Sequence, residues 1–247
     1  LNMKKMKNKL KVVLIILLII VVCFITIGVL WYFGIIKEKT YTLSYFNMEP
    51  ILSDTDYNQN GIDDYTDILN GAKIDAKNKP KYVADSYTVG GYPSDDIGVC
   101  TDVIWRALKN AGYNLKDMID KDISENISLY PATNGKQDKN IDFRRVRNLK
   151  VFFDRYAKVL TNDLNKKEEF QAGDIVIFGE NYNHIGIISN LRNKNNVPYL
   201  IHNSGQPKRE ENILEIADKL SKITGHYRFE YNEKIKELIE KVNKDLD

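Results

Sequence analysis

The chain has 247 residues, with 43% hydrophobic and 28% charged side chains, the balance of an ordinary globular protein of one large or two small domains. Its formal net charge is only +2, and five lysines (Lys4, Lys5, Lys7, Lys9, Lys11) crowd the N-terminus. The remainder is slightly acidic, which argues against nucleic acid as a partner.

Residues 1–11 form the basic segment, and residues 12–36 follow with no charged side chain. At about 1.5 Å per helical residue that run is long enough to cross a hydrocarbon core of about 30 Å. Trp31 and Tyr32 near its far end suit a membrane interface. The lysines ahead of it predict a cytoplasmic N-terminus, with the rest of the chain outside. A cleaved signal peptide is the rival, but the run is long and no A-x-A-like site follows it, so it reads as a retained transmembrane anchor. Cys23 lies inside the run. Ile20-Val21-Val22 lacks the small residue expected before a lipidated cysteine, so Cys23 reads as inert. The expected location is the cell membrane of a bacterium, single-pass, with the folded part extracytoplasmic.

Residues 37–53 read as a linker, and residues 54–76 as a loop and helix opened by DYNQNGIDDYTD. Asp56, Asn58, Asn60, Ile62 (through its carbonyl), Asp64 and Asp67 fall at positions 1, 3, 5, 7, 9 and 12 of an EF-hand-type loop, with Gly61 at the sharp turn. Asp rather than Glu at the last position shortens the arm that would bind bidentately. The expected ligand is one structural Ca2+. The competing reading is a polar turn that caps a helix over about 65–76.

Residues 77–232 carry the chemistry. In VGGYPSDDIGVCTDVIWRAL a turn-rich approach leads into a helical pattern over about 101–111, with Cys100 at the join. A thiol at a helix N-terminus feels the positive end of the dipole, which lowers its pKa. Outside the anchor Cys100 has no second cysteine to pair with, so it is either a buried core thiol or a reactive one. A polar helix is expected over 114–126. The loop over 130–148 brings Arg144, Arg145 and Arg147 together, where planar guanidinium forks could clamp a carboxylate or simply be solvated. Leu149, Phe152, Phe153, Tyr156 and Leu160 make an apolar helical face. FQAGDIVIFG, HIGIIS, VPYLIHN and GHYRFEY read as strands, and 233–247 as an amphipathic closing helix.

A hairpin symmetric about Asn193 sets His184 opposite His202, with β-carbons about 4.5–5.5 Å apart on one face. Two adjacent imidazoles suit a base and its orienter, one taking the thiol proton while the other fixes its tautomer. A zinc site is the alternative and needs a third ligand, His226 or Cys100, but no HExxH or CxxC pattern supports it.

YTVGG, GVCTD, AGDIVIF, HIGIIS and LIHNSG resemble, in order and spacing, the NlpC-type papain-like cell-wall peptidases. More closely, GGYPSDDIGVCTDVIWRAL, NIDFRRVRNL, HIGIIS, IHNSGQ and ITGHYR resemble the family catalogued as domain of unknown function 1287, over roughly residues 54–230. The resemblance implies an α+β, papain-like NlpC-type fold, a nucleophile helix packed on an antiparallel sheet, here preceded by one N-terminal transmembrane helix. By motif match it implies Cys100 as nucleophile, His184 as base and His202 as the polar residue that orients it. Tyr87 matches the family's Y-x-x-G-G tyrosine, which lies beside the nucleophile and assists the oxyanion; a packing aromatic is the equal alternative. The usual Asp-Cys-Ser-Gly is here Val99-Cys100-Thr101-Asp102, so the superfamily's S2-side contacts do not carry over.

The implied activity is a membrane-anchored extracytoplasmic cysteine hydrolase that cuts an amide bond and needs no cofactor for its chemistry. Peptidoglycan stem peptides are the expected substrate, with Arg144 or Arg145 holding a carboxylate. An acyltransferase using the same thioester, or an inactive calcium-dependent wall-binding module, are the alternatives.

Overall fold

The structure, a computed structural model, describes residues 2–246. The chain divides after Lys39 into two compact units. The first is built on one helix, α1 (Asn2–Tyr32), within which Lys5–Tyr32 is long and apolar enough to cross a membrane. The helix starts ahead of the uncharged run, so several of the lysines lie on the helix itself rather than on a tail before it. Its Leu, Ile and Val side chains from Leu10 to Val29 are exposed, the arrangement expected when lipid rather than protein is to cover them.

The second unit opens with a 3-10 turn over Leu43–Phe46, beside Tyr41, which bridges to Arg192. Helix α2 (Asp64–Asn78) follows, capped by Asp63, whose carboxylate accepts the backbone N–H of Tyr65 and Thr66. Two short parallel strands follow, β1 (Lys81–Tyr82) and β2 (Ile97–Gly98). Helix α3 (Cys100–Asn110) starts two residues after β2. Helix α4 (Leu115–Asn126) and helix α5 (Val146–Tyr156) flank the arginine-bearing loop, which is folded into single 3-10 turns. Next come β3 (Lys158–Val159), β4 (Ile175–Phe178), β5 (His184–Arg192), β6 (Pro198–Ile201) and β7 (Glu210–Glu211). Helix α6 (Leu214–Ser221), β8 (Ile223–Arg228) and helix α7 (Glu233–Leu246) complete the chain.

Six strands form one antiparallel sheet in the order β3-β8-β4-β5-β6-β7. Strand β4 is central and buried on both faces, which is why IVIF reads as an unbroken apolar run. Ile175 and Ile177 join Ile185, Ile187 and Ile201 in the main core, under the helices. Val176 and Phe178 point the other way, to a second cluster with Phe170, Val197, Leu214 and Ile223. The mixed α/β architecture with an antiparallel sheet matches the coarse expectation from the sequence. The closing helix packs on α4 and sends Ile235 and Leu238 into the main core, so the tail is integral to this unit.

Helix α3 is held on two sides. Val103, Ile104, Ala107 and Leu108 are buried at helical spacing, and the helix packs against α2 and β5. Gly71 on α2 allows the two helices to come close. A Cβ added there would lie 2.6 Å from the Asn110 Cβ and 2.8 Å from the Ala107 Cα. Gly71→Leu should therefore force the helices apart and lower stability by about 1–3 kcal/mol. The expected result is a lower denaturant midpoint at an unchanged m-value.

Candidate active site

Cys100 owes its position to a buried carboxylate. Asp102, in the first turn of α3, is fully enclosed. Its oxygens accept the Val99 N–H at 2.7 Å, the Trp105 indole N–H at 2.7 Å, and Arg144 Nε and Nη2 at 2.7 and 2.9 Å. The Val99 bond caps the helix one residue ahead of the cysteine. Arg144 in turn donates to the Ser86 carbonyl and hydroxyl, and its own carbonyl accepts from Thr101 Oγ1 at 3.1 Å. One ion pair thus joins the start of α3, the loop before it and the insertion between α4 and α5. Arg144 is consequently not a surface clamp for a substrate carboxylate, as its sequence context had suggested. Its side chain is 2% exposed, and its fork is spent on Asp102 and Ser86.

Burial pushes the Cys100 thiol up to about 11. The backbone N–H groups of Ile185 and Thr101 face the sulfur and hold the value down, and the Asp102 carboxylate pushes it up. The lowering expected from a helix N-terminus is therefore outweighed by desolvation. Tyr82, on β1, is a tyrosine that feels the charge of the Cys100 sulfur. Its hydroxyl is raised by burial and then by the negative charge of Cys100. Tyr87 is 56% exposed, and its hydroxyl donates to Asp138 at 3.2 Å and accepts from the Asn140 amide at 2.9 Å. The sequence offered Tyr82 only as a residue of an unremarkable KY pair, made a strand by its pairing with Ile97-Gly98.

The two histidines meet, by a different register from the one expected. Ile187 pairs with Ile201 and Ile188 with Leu200, two residues out of the symmetric hairpin, with an irregularity before the Arg192–Pro198 pair. A slip of two preserves the face, so His184 and His202 remain neighbours, now diagonal. His184 Nε2 lies 2.9 Å from His202 Nδ1, the rings edge to face at 4.9 Å between centroids. Gly186 makes room for this: a Cβ there would stand 3.2 Å from that of His202. Burial, then the second imidazole, lowers the His184 pKa to about 4, so the ring is neutral near pH 7. His184 directly precedes Ile185, whose N–H faces the Cys100 sulfur.

His202 is fixed from its other side by Glu211 Oε1, 3.0 Å from Nε2. Ser204 Oγ lies 3.2 Å from Nδ1, and Gln206 Nε2 donates to the His202 carbonyl at 3.0 Å. Asn203, the next residue, donates to the Gly98 carbonyl at 3.2 Å, which ties the His202 turn to the backbone just before Cys100.

A family model described as Domain of unknown function (DUF1287) matches residues 69–229. The chain belongs to this DUF1287 family. A curated relative, Uncharacterized protein YijF of Escherichia coli (strain K12), is 35% identical over 154 residues, which cover 61% of this chain and 72% of the relative. The DUF1287 match spans Tyr82, Cys100, Asp102, Arg144, His184, His202 and Glu211, and leaves out α1, the 56–67 loop and α7.

The remaining candidates are held by other partners. Arg145 is half-buried and bonds the Ala132 carbonyl and Asp142. With Arg147, Tyr182 and Asn183 it lines an open pocket of about 400 Å³. His226, considered as a third zinc ligand, is enclosed on β8. Its nitrogens face the Thr161 carbonyl at 2.6 Å and Asp174 at 3.1 Å, and its ring stacks on Phe170 at 4.0 Å. In the 56–67 loop, Asp56 accepts the N–H groups of Asn60 and Gly61, and Asn60 Oδ1 accepts from Ile62, a sharply turned loop with Gly61 at φ 88°. The Asn58 and Asn60 amides both donate to Asp67 Oδ2 at 2.8 Å. Asp64 does not join them. Its carboxylate is buried and accepts from Thr55, the Tyr57 N–H and the Tyr113 hydroxyl. Among the described residues no three His, Cys, Asp or Glu side chains are grouped as metal ligands.

Arg144→Ala should act as a folding defect rather than a binding defect. Asp102 would be left buried and unpaired, at a cost of about 3–5 kcal/mol. The measurement is the melting transition of residues 40–247, which should fall steeply. A variant with unchanged melting would remove the ion pair from its structural role.

Proposed function

We propose that the second unit is a cysteine hydrolase of papain-like, NlpC-type design that cleaves an amide bond, with peptidoglycan stem peptides as substrate. The observation that carries this reading is the convergence of Cys100, at the start of a buried helix, with a strand whose first residue, His184, is hydrogen-bonded to His202. Burial and His202 lower the His184 pKa to about 4, which keeps the ring neutral with a free lone pair at pH 7 and leaves the positive charge it gains to be stabilised by its partner His202. As Cys100 attacks the carbonyl carbon, its S–H bond breaks and His184 takes the proton. The tetrahedral oxyanion is met by backbone N–H groups at the head of α3 and by the Tyr82 hydroxyl. His184 then returns the proton to the leaving amine, which departs to leave a thioester on Cys100. Water, deprotonated by the same imidazole, hydrolyses the thioester and frees the thiol. The exposed apolar helix α1 supports a single-pass anchor with the lysine-bearing end in the cytoplasm, which would hold the domain beside the cell wall.

The test is a digest. Residues 40–247 are incubated with purified peptidoglycan, beside Cys100→Ala, and soluble fragments are read by mass spectrometry. Fragments that depend on Cys100 are expected, and their masses name the bond. Transfer of the acyl group to an added amine instead of water would make the protein an acyltransferase. No product with either acceptor, on stem peptides or intact wall, would overturn the reading.

We also propose that the 56–67 loop takes one structural Ca2+. The fit is partial. Asp56, Asn58, Asn60, the Ile62 carbonyl and Asp67 supply oxygens on one tight turn, whereas Asp64 is committed to Tyr113. The two amide donors now on Asp67 would have to turn away to admit the ion. Isothermal titration of residues 40–247 should show one site, lost in Asp56→Ala, with no effect on the fold. Absence of heat at millimolar calcium rejects the site.

A further inference from the structure

The relay does not end at His202. We propose that Glu211 is a positioning residue that sets the tautomers of both histidines and draws the positive charge of the activated pair on to His202. This rests on Cys100 and His184 being nucleophile and base.

A carboxylate oxygen only accepts hydrogen bonds. Glu211 Oε1, 3.0 Å from His202 Nε2, therefore requires the proton on that nitrogen. His202 Nδ1 is then the acceptor, so His184 must donate from Nε2 across the 2.9 Å contact. His184 Nδ1 is left bare, and a bare nitrogen is what a base needs. The opposite tautomers would set two lone pairs against each other at Glu211. Gln206 Nε2 also lies 3.1 Å from His202 Nε2, and its amide carries two donors, one of them given to the His202 carbonyl at 3.0 Å. The charged carboxylate makes the stronger bond to that nitrogen and claims its proton.

The same geometry disposes of the charge. When the Cys100 S–H breaks and its proton joins His184 Nδ1, the proton on His184 Nε2 passes to His202 Nδ1. One S–H and one N–H bond break and two N–H bonds form. His184 ends neutral, and the imidazolium is His202, against Glu211. This matters because His184 is a poor place for a positive charge, being buried and beside a second imidazole. Glu211 sits on β7, itself held by Glu210, which bonds Ser189 and lies 3.5 Å from Lys73. The other charged or titratable groups around the relay are Tyr82 and Asp102 near Cys100, and Arg209, whose guanidinium feels both Asp75 and Glu211. None of these offers His202 Nε2 an acceptor.

The experiment reads ionisation of the thiol, not turnover. The full chain in detergent micelles is alkylated with iodoacetamide from pH 5 to 11, and modification of Cys100 is followed by peptide mass mapping in wild type, Glu211→Gln, Glu211→Asp and His184→Gln. A glutamine can donate to His202 Nε2 and reverse both tautomers. Glu211→Gln should therefore slow alkylation at pH 7 by at least about tenfold and shift the profile upward, as should His184→Gln, with melting unchanged and partial rescue in Glu211→Asp. If His184→Gln slows the reaction and Glu211→Gln matches wild type, the role of Glu211 is overturned and the nucleophile reading stands. If neither variant slows it, both fall. Should Glu211→Gln fail to fold, nitrogen-15 spectra of the three histidines in the wild type decide the matter. His184 and His202 must both carry the proton on Nε2 at pH 7, and a His202 protonated on Nδ1 alone refutes the proposal.

Discussion

The fully buried Asp102–Arg144 pair is the constraint on which the rest of the site depends. A carboxylate removed from water needs several donors, and Asp102 has them from the helix start, from Trp105 and from a loop some forty residues away. Because Arg144 also grips Ser86, the approach to Cys100, the first turn of α3 and the arginine loop are fixed together. The cysteine is then presented to the sheet at a set height, with Ile185 N–H against its sulfur. Asn203 repeats the device from the sheet side by bonding the Gly98 carbonyl.

The local elements were largely legible in the sequence. Cys100 at a turn-to-helix join, apolar residues at helical spacing after it, and alternation in HIGIIS each reflect short-range geometry. The histidine pair survived an error in register because a slip of two residues leaves side chains on the same face. What failed was whatever depended on a distant partner. Nothing local separates Arg144 from Arg145; only Asp102, in another segment, makes one a buried strut and leaves the other half-exposed. Tyr82 carries no mark in the linear chain, and only the β1–β2 pairing sets it opposite Gly98, two residues before the cysteine. Glu211 lies in the polar run KREEN, where no periodicity marks it, and acquires meaning only when β7 pairs with β6. Asp64 has the spacing of a loop ligand, yet Tyr113, some fifty residues on, claims it.

The thiol shows how opposing effects are weighed. A helix N-terminus favours a thiolate by an amount typical of one turn's dipole, whereas enclosure of the sulfur disfavours it more strongly, and the net is a pKa near 11. A residue in that position is quiet at rest. Its reactivity must come from a neighbour able to take the proton when it is needed, which places the chemical burden of the proposed mechanism on the histidines.

Strand β7 gives this arrangement a weak point. It is two residues long and lies at the outer edge of the sheet, joined on one side only to β6. Edge strands so short open at a fraction of the global unfolding free energy, while β4, buried on both faces, opens only with the whole domain. A brief detachment of β7 would separate Glu211 from His202 and leave the core and Cys100 untouched. In the proposed mechanism, mild heat or low denaturant would then silence the thiol well before any spectroscopic sign of unfolding, and competence would be a smaller quantity than the folded population.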